Sequence, residues 1–127
     1  SKNILQQSKQ YYNVYLKGAL IGLCLDIRLR ELSKGKYGTQ NLMQDLAKKY
    51  GKHKPFKDSE LIDEIAKMTY PEIRHFFTDY VINAKALPIK EYLFKVGIDY
   101  DPKDDHFRPV KNITAEQKRL RKTWLGL

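Results

Sequence analysis

The chain has 127 residues, 42% of them hydrophobic and 31% charged, the balance of one globular domain with a core of its own. Its single cysteine, Cys24, excludes an internal disulfide. The longest apolar run, Gly18 to Leu25, is too short to cross a bilayer, and Ser1 to Gln10 lacks the apolar stretch of a signal peptide. A formal net charge of +9 admits an anionic partner, so the placement of the charges decides what it means.

The punctuation is helical throughout and predicts an all-α bundle of about six helices around a buried first helix. The first helix is expected from about Gln7 to Ser33, stopped by Gly35. One stripe reads Tyr11, Tyr15, Gly18, Gly22, Leu25, Leu29 and Leu32; a second reads Leu16, Leu20, Leu23 and Ile27. Two apolar stripes make the middle of this helix apolar all round, hence central. Gly18 and Gly22 each cost about 1 kcal/mol of helix propensity against Ala, which implies close approach of another backbone on that face. With no initiator Met and no leading loop, the start reads as a cut from a longer protein.

Thr39 is expected to cap a second helix that uses Leu42, Leu46 and Tyr50 and ends at Gly51, followed by a loop at Lys52–Pro55. Asp58 caps a third, carrying Leu61, Ile62, Ile65 and Met68. A capping box of Thr69 and Glu72, with Pro71 in the first turn, opens a fourth whose inner face is Ile73, Phe76, Phe77, Tyr80 and Val81. Pro88 starts a short fifth helix, closed by Gly97. Residues 1–100 thus form one lobe. Asp101 to Asn112 reads as a polar linker to a second capping box, Thr114 and Gln117, and to a last helix that docks through Leu120 and Trp124.

Most chemistry falls to simpler explanations. His53, His75 and His106 share no ligand spacing, so no metal site is expected in this chain. Cys24 sits in an apolar run, where a thiol is an inert packing group. Asp26 interrupts the apolar helix and pairs most simply with Arg30 one turn on. The basic groups at Lys48, Lys49, Lys52, Lys54 and Lys57, and at Lys118, Arg119, Arg121 and Lys122, fit helix ends and a solvated face. No helix presents a row of Arg, Asn and Gln to read bases, so nucleic acid is disfavoured as a partner. Nine tyrosines remain, with Tyr11, Tyr12 and Tyr15 crowded together. Core or interface is the simpler reading of Tyr11 and Tyr15; a phenol at a closely approached helix face can also donate to a ligand.

The segment Tyr11–Leu20, and Tyr15-Leu16-Lys17-Gly18-Ala19 within it, resembles the Tyr-x-Lys-Gly-Ala element of zinc aminopeptidases of the gluzincin group, most closely the glycyl aminopeptidase family. The run Gly22 to Arg28 ending in Ser33 to Lys36, the run Phe76 to Val81, and Leu87-Pro88 through Gly97-Ile98 extend the resemblance over residues 8–100. It implies the helical C-terminal lobe of a thermolysin-like catalytic domain, forming one wall of a peptide cleft. It implies that Tyr15 donates its hydroxyl to the tetrahedral oxyanion, and that Tyr11, Gly18 and Gly22 lie on the substrate-cleft or interdomain face. It gives no role to Lys17. The family's H-E-x-x-H motif and its glutamate ligand are absent from these residues, so zinc is expected on an N-terminal part of the same parent and not here. A PDZ domain often follows this lobe in relatives; these residues hold only the linker and the Trp124 helix, and whether a PDZ domain follows stays open.

The partners so implied are that zinc-bearing part and a peptide substrate, with no membrane. A second copy of the chain, or the Trp124 helix, is expected to cover the Tyr15 face if the lobe stands alone. An exported, periplasmic parent is compatible with this. The alternative is a stand-alone basic helical module that binds a protein or nucleic acid.

Overall fold

The order of elements follows from where helix-compatible runs meet residues that stop them. In the computed structural model, which describes residues 2–51 and 57–127, with side chains from Gln6 onward, six α-helices carry the fold. They are α1 (Lys2–Leu32), α2 (Thr39–Tyr50), α3 (Asp58–Met68), α4 (Glu72–Phe77), α5 (Ile89–Lys95) and α6 (Ala115–Leu125). A π-helical turn at Thr78–Ile82 continues α4, and a small hairpin precedes α6. The expected loop at Lys52–Pro55, with His53, Lys52 and Lys54, lies outside the described residues.

The core is built on the second half of α1. Cys24, Ile27 and Leu29 are fully buried, and Ile65, Ile73, Phe76, Tyr92, Val96 and Leu120 close around them. Each such side chain contributes about 1.5–3 kcal/mol through removal from water. Phe76 meets Tyr80 and Tyr92 edge-on, with ring centroids 5.1 and 6.1 Å apart, the geometry that sets a positive ring edge against a negative face. The burial of α1 is confined to this half. From Tyr11 to Ala19 every residue is exposed, so the core half of the core-or-interface reading of Tyr11 and Tyr15 is corrected: among the described residues no other element covers their side of the helix.

Where α1 ends, Gly35 adopts φ +86° and its amide donates to Arg30 carbonyl oxygen at 2.6 Å. A β-carbon there would lie 2.9 Å from the Thr123 methyl, so the missing side chain also lets α6 approach. Gly38, not Thr39, holds the N-cap position of α2, and its amide donates to Asn41 Oδ1 at 2.9 Å. Thr39 is engaged elsewhere. Its backbone amide (2.9 Å) and hydroxyl (3.2 Å) both donate to Asp26 Oδ1, while Arg30 Nε donates to Asp26 Oδ2 at 2.9 Å. Asp26 therefore reaches across from α1 and caps α2, with Arg30 holding it in place. The backbone of Gly38 lies against this pair so closely that a β-carbon would overlap both side chains.

Three further boundaries differ from the expected ones. Lys57 is the N-cap of α3, and Asp58 is its first helical residue, with Glu60 beside it in a first turn that favours negative charge. No Thr69–Glu72 box forms, because the Thr69 hydroxyl turns back and donates to the Ile65 carbonyl at 2.7 Å, ending α3. The π turn adds a residue to the repeat, seen in Asn83 amide donating to Thr78 carbonyl at 2.9 Å, and this rotates Val81 out to solvent.

The polar stretch after Gly97 is not a linker. Ile98–Asp101 pairs antiparallel with His106–Pro109, with Ile98 opposite Pro109 and Asp101 opposite His106. Tyr100 and Phe107 stack across the pair at 4.9 Å, and the Tyr100 hydroxyl donates to Asp105 at 3.0 Å. The chain then enters α6 through the Thr114–Gln117 capping box, both of whose bonds form. Gln117 also donates through Nε2 to the Phe94 carbonyl at 2.8 Å, which ties α6 to the end of α5. Leu120 is buried in the core and Trp124 packs against it.

Candidate functional site

At 100° per residue, Tyr11, Tyr15, Gly18 and Gly22 fall within an arc of about 60° on α1. Asn13, Leu16, Lys17 and Leu20 occupy the opposite side, where they line a groove of about 270 Å³ with residues 84–87 and Ile89. The body thus holds α1 from behind, and the tyrosine–glycine stripe faces outward. Tyr11 is 76% exposed and Tyr15 69%, flanked by exposed Tyr12 and Val14. A β-carbon on Gly18 or Gly22 would meet nothing within 4 Å among the described residues, so the close approach expected of these glycines does not occur within the described chain.

The stripe runs about 16 Å along the axis, from two phenol rings at one end to two residues with no side chain at the other. Chemically it is a shelf: an aromatic wall with hydroxyl donors beside a floor of bare backbone. The Tyr15 hydroxyl has no partner among the described residues, which leaves its donor free for a ligand. The Trp124 helix does not cover the shelf. It packs by Thr123 against Gly35, at the far end of α1.

The remaining sequence candidates separate. Cys24 is fully buried, and burial pushes its thiol up to about 11, which leaves it protonated and inert near neutral pH. Asp26 is spent on Arg30 and Thr39. His75 lies on α4 and His106 on the hairpin, and among the described residues no three His, Cys, Asp or Glu side chains converge as metal ligands. The described residues therefore assemble no zinc ligand set. Several cations are locally paired: Lys49 with Glu64, Arg74 with Asp63, Lys85 with Asp79, Arg119 with Glu116, and both Arg28 and Lys95 with Glu31. Among the described residues no helix is long and apolar enough to cross a membrane.

No family model, curated protein or solved structure matches this chain. The functional reading therefore stands on the residues.

What sequence reasoning missed is the clamp farther along α1, on the side that the shelf faces. The bond from Asp26 to Thr39 spans 13 residues and joins two helices. A carboxylate inside an apolar helix marked the position, but only the turn at Gly35 and the bare backbone of Gly38 bring Thr39 to it.

Proposed function

We propose that this chain is the helical C-terminal lobe of a zinc-dependent aminopeptidase, forming one wall of the cleft that receives a peptide N-terminus. The observation that carries the reading is the outward stripe of α1: an unpartnered Tyr15 phenol in line with Gly18 and Gly22. The resemblance of Tyr15 to Ala19 to the family's Tyr-x-Lys-Gly-Ala element supplies the role. A zinc-bearing N-terminal part of the same parent faces the stripe, and the bare backbone at Gly18 and Gly22 lets a substrate or that neighbouring part lie close. The phenol of Tyr15 donates a hydrogen bond to the oxygen that becomes anionic as the scissile carbonyl turns tetrahedral. Such a donor meets a stronger acceptor in the transition state than in the ground state, and therefore lowers the barrier. The isolated chain holds the donor and cleaves nothing.

The test is Tyr15→Phe in the zinc-bearing parent, assayed on aminoacyl and peptide substrates. The hydroxyl stands in solvent in this lobe, so folding stability is expected to be unchanged. The turnover number should fall about 100-fold, with KM little altered, as for loss of one oxyanion donor. Full activity in the variant, or a native protein no larger than this chain, would overturn the reading.

A further inference from the structure

A second cleft, of about 300 Å³, opens between the C-terminal half of α1, α4 with its π turn, and α5. Arg28 on its wall lies about 20 Å along α1 from Tyr15, so this space is separate from the shelf. Both Arg28 and Lys95 bind the one carboxylate of Glu31, with Lys95 Nζ 2.6 Å from Oε2. Two cations sharing one anion leave a positive charge over. Beside them Tyr92 is only 7% exposed, and its hydroxyl has no partner among the described residues. No fully buried side-chain polar atom among them lacks a partner, so this hydroxyl touches solvent, and the cleft is the space that Tyr92 lines. Tyr80 adds a second unpartnered hydroxyl to the same wall.

The outer part has the opposite sign. Glu72, at the start of α4, and Glu91, on α5, are exposed carboxylates without an ion-pair partner among the described residues. Asp79, also on the wall, is engaged by Lys85 at 3.3 Å. A simple anion that reached Arg28 and Lys95 would pass Glu72 and Glu91 at a Coulombic cost, and a simple cation would meet the reverse. A ligand that carries both charges satisfies both ends.

We propose that this cleft binds a free α-amino acid with a small side chain. Its carboxylate sits inward on Arg28, Lys95 and the Tyr92 hydroxyl, and its ammonium faces outward toward Glu72 and Glu91. The phenol supplies direction: a donor that folding leaves facing only the cleft exchanges solvent for a charged acceptor on binding. This site does not depend on the role given to Tyr15.

The test is titration of the 127-residue chain with glycine, acetate and methylammonium at matched ionic strength, followed by NMR. Glycine should bind saturably and shift the ring resonances of Tyr80 and Tyr92, while acetate and methylammonium bind at least tenfold more weakly. Tyr92→Phe, which keeps the packed ring, should weaken glycine about tenfold. Glu91→Gln, an exposed change that leaves packing alone, should also weaken it. Absence of saturable glycine binding, acetate binding as tight as glycine, or unaltered glycine affinity in Glu91→Gln would each overturn the proposal.

Discussion

Replacing Asp26 by Ala removes three hydrogen bonds at once: two from Thr39 at 2.9 and 3.2 Å and one from Arg30 at 2.9 Å. The Asp26 and Arg30 side chains are 15% and 18% exposed, so water replaces the lost partners only in part. A hydrogen bond to a charged group is worth about 1.5–3 kcal/mol, and breaking a fully buried pair costs about 3–5 kcal/mol. Discounted for partial exposure, the expected loss is about 3 kcal/mol. With an unfolding entropy of about 2.1 cal/mol/K per residue, a chain of 127 residues then melts about 10 °C lower. Thermal and urea unfolding followed by far-UV circular dichroism read this directly. Asp26→Asn, which keeps an acceptor for Thr39 but not the charge facing Arg30, should fall between. A loss in Asp26→Ala below about 0.5 kcal/mol would refute the clamp and reduce the contacts to an exposed ion pair.

Two further outcomes follow from the geometry. Gly18→Ala and Gly22→Ala place a methyl group where nothing lies within 4 Å, so each should stabilise the isolated chain by about 0.5–1 kcal/mol in urea unfolding. Destabilisation would show that these positions are covered. Burial works against ionisation of Glu31, but the hydrogen bonds from Lys95 and Arg28 outweigh it and hold its carboxyl below the ordinary value. Its stabilising contribution is therefore complete above the unfolded carboxylate value and is lost as pH falls through the lower, folded one. The stability gap between the native chain and Glu31→Gln should shrink across that acid window, and a gap constant with pH would contradict the stabilising role of the Arg28 and Lys95 bonds to Glu31.

The helices were legible where one residue type has one plausible task. The Thr114–Gln117 box formed as its spacing implied, and Gly35 and Gly97 stopped their helices. Errors arose where a residue had two options within reach. Thr39 and Thr69 both have the chemistry of a cap, yet one hydroxyl went to Asp26 and the other back to Ile65, choices set by tertiary approach and by the preceding helix. The hairpin escaped because the Ile98–Asp99–Tyr100–Asp101 alternation spans only four residues, too few to stand out, and the partner strand His106–Pro109 is exposed throughout. In the stripe from Tyr11 to Gly22, helical spacing reports that the residues share a face but not what lies opposite. The same pattern therefore fits a core seam and an outward shelf. The amino-acid cleft left no motif, since Arg28, Tyr80, Tyr92 and Lys95 come from three segments that meet only in the folded chain.

The single long rod of α1 links the shelf to the clamp mechanically. Tyr15 stands 11 residues, about 16 Å, beyond Asp26, with its outer side unsupported. A tilt of about 5° pivoting at Asp26 would swing the Tyr15 ring by about 1.4 Å, enough to break the hydrogen bond proposed for it. Aim at the tip is thus set at the root as well as by the groove behind Leu16 and Leu20. If Tyr15 has the role proposed for it, a substitution at Asp26, Arg30 or Gly38 that leaves the chain folded would detune a donor it never touches.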